Sequence, residues 1–157
     1  MIGKPPIDIP APGEGKRGEA GYLGYLLRQA AAAHRLRMER GFAEFGVTLP
    51  QFTVLTMLAA YPGLSSADLA RLALLTPQTM SVIVTNLVRS GAILRRPHEV
   101  HGRIQHLDIS AAGQDLLVKC RERALVVERA LRSGLSETED GVIRRWLVSV
   151  AVEPGGS

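Results

Sequence analysis

Residues 63–93 read GLSSADLARLALLTPQTMSVIVTNLVRSGAI, a stretch that encodes two helices joined by a tight turn. Met80, Ile83, Val84 and Leu87 stand at i, i+3, i+4 and i+7, which puts them on one apolar stripe of an α-helix. Thr76 precedes that helix with a hydroxyl able to accept a backbone N–H, and Pro77 follows at the first position, where its missing N–H costs nothing. Opposite the stripe lie Gln78, Ser81, Thr85 and Arg89, with no carboxylate among them, so this face can approach phosphates closely. Gly91 closes the helix. Upstream, Ser65-Ser66-Ala67-Asp68 has capping-box form and Leu64 can staple onto Leu69, which predicts a short helix before the turn.

The same signals extend outward. Thr48-Leu49-Pro50-Gln51 is another capping box, with Val47 placed to staple onto Phe52, and the helix it opens should end near Tyr61, before Pro62-Gly63. Leu23, Leu26, Leu27, Ala30, Met38, Phe42 and Phe45 recur at nearly helical spacing and predict a long first helix ending at Gly46. After Gly91, residues 93–96 and 103–109 read as two short strands joined by residues 97–102, with Leu107 and Ile109 on one side of the second. Ser110 caps a fifth helix in which Leu117, Cys120, Ala124, Val127 and Leu131 step by three and four, the spacing of a helix–helix seam. Ser136-Glu137-Thr138-Glu139 opens a sixth, with Ile143, Trp146, Leu147 and Val150 on one stripe. The expected class is mainly α with a small β-hairpin. Residues 1–21, rich in Pro and Gly, should form a mobile arm or extended strap, and residues 152–157 a tail.

With 157 residues, 46% hydrophobic and 22% charged, the chain can bury the core of one folded domain. A net charge of +4 favours a polyanionic partner. The single Cys120 excludes an intrachain disulfide, and residues 1–21 lack the apolar core of a signal peptide, so a reducing cytoplasm is expected. No apolar run suggests a membrane span. Paired carboxylates, a nucleophile with its base and a Gly-rich phosphate loop are all missing, so neither catalysis nor a cofactor is expected. His98, His101 and His106 do not have the spacing of a zinc site; they read as solvated hairpin residues, and no metal is expected. Cys120, on the apolar seam, reads as a buried small hydrophobe rather than an oxidation sensor, and His34 as an interface histidine.

From about Leu23 to Leu147 the chain resembles the MarR family, through GVTLPQFTVLTML at 46–58, the opening stretch at 63–93, RRPHEVHGRIQHLDISAAG at 95–113 and LSETE at 135–139. The resemblance implies a winged helix-turn-helix at about 48–110, flanked by long N- and C-terminal dimerisation helices at about 22–45 and 111–151. It also implies a homodimeric transcription regulator, usually a repressor, that reads a pseudo-palindromic operator in double-stranded DNA and responds to a small, often aromatic or acidic, molecule or to an oxidant. The helix matching residues 76–90 would enter the major groove and the hairpin matching 95–109 the neighbouring minor groove. Gln78, Thr79, Ser81 and Thr85 are the candidates for base or phosphate contact, Val82 for a thymine methyl, and Arg89, Arg95, Arg96, His101 and Arg103 for the remaining DNA contacts. Two positions depart from the pattern. Val82 stands where relatives often carry Arg, and His101-Gly102-Arg103 replaces Asp-Arg-Arg at the wing. These changes keep open an alternative, a winged-helix module that serves protein assembly without binding DNA.

Overall fold

The computed structural model describes residues 7–97 and 105–152, and the chain divides into two compact units, Met1–Leu49 and Pro50–Ser157. In the first unit, residues 7–21, expected as a mobile arm or an extended strap, carry a local turn. A 3-10 turn at Gly15–Arg17 folds the segment on itself: the Arg17 guanidinium donates to the Pro10 carbonyl at 2.7 Å, and the Ala11 amide to Glu14 at 3.2 Å. Helix α1 (Leu23–Phe42) follows, and its last turn tightens into a 3-10 turn at Ala43–Phe45 that ends at Gly46, where the apolar period stops. Met38 and Phe42 are its buried residues.

The second unit begins with α2 (Leu49–Ala60), whose first residue precedes the boundary, then α3 (Ser66–Ala73) and α4 (Pro77–Arg89). Both capping signals act as read. Ser65 Oγ accepts the Asp68 amide at 3.1 Å while the Asp68 carboxylate takes the Ser65 amide at 3.1 Å; Thr76 Oγ1 accepts the Thr79 amide at 3.2 Å. The turn between α3 and α4 passes through Leu74, which is left-handed at φ 52° and largely exposed. Strands β1 (Ile93–Pro97) and β2 (Gln105–Ile109) pair antiparallel, with Arg95 opposite Leu107 and Arg96 opposite His106.

One core unites these elements. Val54, Leu55 and Leu58 of α2, Leu69 and Ala70 of α3, and Met80, Ile83, Val84 and Leu87 of α4 close around Ile93 and Leu107 of the hairpin and Leu117 of the helix after it. Each fully buried aliphatic side chain here contributes about 1.5–3 kcal/mol. The hairpin is also tied to the α2–α3 turn by backbone bonds, Gly63 N–H to Leu107 O at 3.2 Å and Leu107 N–H to Leu64 O at 2.9 Å.

Helix α5 (Ala111–Arg132) is capped by Ser110, whose Oγ accepts the Gly113 amide at 3.0 Å. Leu117 and Cys120 are buried, Ala124 and Val127 half-buried, and Leu131 exposed, so the seam opens toward the C-terminal end of the helix. Helix α6 (Glu137–Ala151) starts at the Ser136–Glu139 capping box and has no buried residue. Its stripe of Ile143, Trp146, Leu147 and Val150 is 39–48% exposed in the single chain. Arg132 of α5 pairs across the turn with Asp140 of α6 at 3.1 Å, and Asp140 also pairs with Arg144 within α6 at 2.6 Å. Among the described residues no single helix is long and apolar enough to cross a membrane.

Candidate nucleic-acid interface

Helix α4 separates its residues as its sequence does. Met80, Ile83, Val84 and Leu87 are buried, and Gln78, Thr79, Ser81, Val82, Thr85, Asn86 and Arg89 are exposed. The exposed set holds one cation and no carboxylate. Thr79 is partly committed, since its Oγ1 accepts the Thr76 hydroxyl at 2.9 Å while its amide fills the cap. Arg89 reaches back to the Asn86 side-chain oxygen at 3.4 Å, a partner the sequence reading passed over. Val82, 62% exposed, offers its methyl groups outward in mid-helix.

Beside this face runs a groove of about 650 Å³, lined among others by Ser65, Ser66, Arg71, Ser81, Arg95 and Gln105. It places the start of α3, the flank of α4 and the hairpin strands around one concave surface. Asp68 also lines it, and its carboxyl is held below the ordinary range first by the Ser65 hydroxyl and amide and then by Arg71, with which it pairs. Capping and pairing therefore occupy the acid nearest the groove.

The two hairpin arginines, read as equivalent from sequence, are not. Arg95 donates to the neutral Gln105 side chain at 3.1 Å and has no carboxylate partner among the described residues. Arg96 pairs with Asp108, Nε to Oδ2 at 2.7 Å and Nη2 to Oδ1 at 3.4 Å, and this pairing is the chief reason the Asp108 carboxyl lies below its usual range. His106, expected as a solvated hairpin residue, is half-buried instead. Its Nδ1 lies 2.5 Å from the Gly63 carbonyl, and because a carbonyl only accepts, that nitrogen carries the proton. His101 and Arg103 fall outside the described residues, as does His98.

Cys120 is fully buried and burial pushes its thiol pKa up, as expected of a packing residue; a reactive thiolate needs the opposite environment. His34, read as an interface histidine, has an enclosed Nδ1 with no hydrogen-bond partner among the described residues of the single chain.

Comparison with known proteins agrees with this architecture. The sequence model of the MarR family matches residues 45–104. An HTH-type transcriptional repressor of Mycobacterium tuberculosis is 40% identical over 125 residues, spanning 80% of this chain and 90% of the relative. A crystal structure of a MarR family protein of Mycobacterium tuberculosis in complex with p-aminosalicylic acid is similar at TM-score 0.66 and 30% identity, covering 83% of this chain and 99% of that one. The S. aureus MepR–DNA complex shares the fold at TM-score 0.77 and 24% identity, covering 82% of this chain and 96% of that one. The 40% identical relative, matched over most of both lengths, and a family model that runs from the start of α2 through α3 and α4 to beyond β1 lead to one assignment: the chain belongs to the MarR family.

Proposed function

We propose that the chain is a homodimeric, sequence-specific regulator of transcription that binds double-stranded DNA and acts in the cytoplasm as a repressor released by a small aromatic acid. The observation that carries this reading is the outward face of α4, polar, free of carboxylates and flanked by Arg95. A B-DNA major groove admits one helix, and side chains near the helix N-terminus reach its base edges. The Gln78 amide is suited to pair with adenine and the Val82 methyls to meet a thymine methyl, while Thr79, Ser81 and Thr85 serve bases or phosphates. Arg89 and Arg95 neutralise the backbone, and His101 and Arg103 belong to the hairpin that approaches the minor groove.

A second copy covers the apolar stripe of α6, where Trp146 and its neighbours are 39–48% exposed in one chain. A two-fold dimer then presents two α4 helices to successive turns of the duplex. The relative whose crystal structure contains p-aminosalicylic acid supports an aromatic acid as the class of effector. The buried, protonated Cys120 disfavours an oxidant. Such a ligand releases DNA only by binding the DNA-incompatible dimer more tightly than the compatible one.

The test is affinity for a mixed-sequence duplex as salt is raised. If Arg89, Arg95 and Arg103 of each copy meet phosphates, affinity falls about a thousandfold between about 50 and 200 mM salt. No binding, or binding indifferent to salt, supports the assembly module instead.

A further inference from the structure

Ile93 and Leu107 are buried and Ile109 packs partly against the core, but toward the far end of the strands the hairpin has little core to hold it: Arg95, Arg96, Pro97 and Gln105 are exposed. A two-stranded ribbon is marginally stable by itself, so something other than its apolar residues must set its direction. Three side chains on the outer side of the hairpin supply that restraint, and all three converge on the α2–α3 turn. His106 donates through Nδ1 to the Gly63 carbonyl, and the Asp108 carboxyl lies close enough to the Gly63 amide, which donates to the Leu107 carbonyl, for that amide to help hold it below its usual range. Between them Leu107 exchanges its two backbone bonds with Gly63 and Leu64. Arg96, opposite His106 and diagonal to Asp108, crosses the strands to that carboxylate. Gly63 sits at φ +82°, and a Cβ there would lie 3.6 Å from Arg96 Nη2, so the guanidinium rests over the turn.

We infer that Arg96, Asp108 and His106 form a latch on Gly63 that fixes the direction in which the wing leaves the domain, so that Arg96 is a positioning residue and Arg95 the phosphate ligand. An ion pair as exposed as Arg96–Asp108, 55% and 30%, adds little to stability. Its larger effect is geometric, because a small change of angle at the strand base is magnified at the wing tip. The inference rests on the DNA-binding reading above.

The experiment compares Arg95→Gln, Arg96→Gln, Asp108→Asn and the double Arg96→Gln/Asp108→Asn for duplex affinity across salt, with melting temperatures measured alongside. Arg95→Gln should lower the salt slope by about two per dimer, one released counterion per copy. Arg96→Gln and Asp108→Asn should each weaken binding about fivefold to tenfold at every salt concentration with the slope kept, and the double variant should lose no more than either single one. A slope lowered by Arg96→Gln as much as by Arg95→Gln overturns the inference, as do additive losses or wild-type affinity in both single variants. Hydrogen exchange of the Gly63 and Leu107 amides decides the latch independently of DNA. Asp108→Asn should speed both, and unchanged protection overturns the latch. Failure of the wild-type chain to bind any duplex would defeat the proposed function while leaving this exchange measurement decisive.

Discussion

Substituting Gly113→Ala sets two physical effects against each other, and the structure decides the sign. Gly113 lies in the first turn of α5, where helix propensity alone favours Ala by about 1 kcal/mol. A Cβ at this position would fall 2.1 Å from the Ala92 carbonyl oxygen, 3.0 Å from its carbon and 2.8 Å from Ile109 Cγ1. Ordinary contact requires the helix start to retreat by roughly 1 Å from a backbone that cannot rotate away. Ala92 is 3% exposed and its carbonyl already accepts the Ser110 amide at 3.0 Å, so the retreat also disturbs the helix cap. Overpacking against a fixed obstacle costs about 3 kcal/mol, and subtracting the propensity gain leaves a net loss of about 2 kcal/mol. Urea unfolding at one protomer concentration measures this, and in a thermal scan the melting temperature should drop by about 4–8 °C. Gly141→Ala in α6 is the control. Its new Cβ would meet only the Arg145 guanidinium, at 3.2 Å, which can swing aside, so this variant should be more stable by up to about 1 kcal/mol. A Gly113→Ala protein as stable as its parent would refute the close approach of α5 to Ala92.

Other outcomes follow from the same geometry. Leu74→Gly should stabilise the fold by about 0.5 kcal/mol, because relief of the left-handed strain outweighs the added freedom of the unfolded chain and a 73% exposed side chain gives up little burial; chemical denaturation reads the shift. Asp68 and Asp108 have folded pKa values below the unfolded one near about 4. Their contribution is therefore complete above that pH and is lost as the pH falls through the lowered folded values. Unfolding free energy should decline on acidification in the wild type and less steeply in Asp68→Asn and Asp108→Asn. In DNA binding, Arg103→Ala should weaken all sequences alike and reduce the salt slope, whereas Gln78→Ala should change preference at one half-site position; identical losses on every sequence would remove Gln78 from base reading.

The elements legible in the sequence are those whose signals are local. Ser65 with Asp68, Thr76 with Pro77, and Ser136 with Glu139 each state a helix start within four residues, and the i, i+3, i+4, i+7 apolar spacing in α4 states which face turns inward. Features whose partners lie far along the chain were not visible. His106 finds its acceptor in Gly63, 43 residues away, and nothing beside either residue announces that contact. The need for Gly113 is set by Ala92, and the difference between Arg95 and Arg96 by which side of a strand each occupies once the register is fixed. One signal was available: Arg96, His106 and Asp108 share a hairpin face by simple alternation, and a cation with an acid on one face of a ribbon suggests a cross-strand pair. Leu74 is a different case, because its left-handed backbone sits where a glycine would have marked the turn. The apolar stripe of α6 was legible, and in a single chain it stays 39–48% exposed.

The central claim is that paired copies present the exposed face of α4 to successive major grooves. Selection of bound sequences from a random duplex pool tests it most directly. The account predicts an enriched inverted repeat with half-site centres about 10 base pairs apart, one helical turn, and loss of that enrichment at a defined base position with Gln78→Ala. Recovery of unrelated sequences without two-fold symmetry, or of none at all, would contradict it.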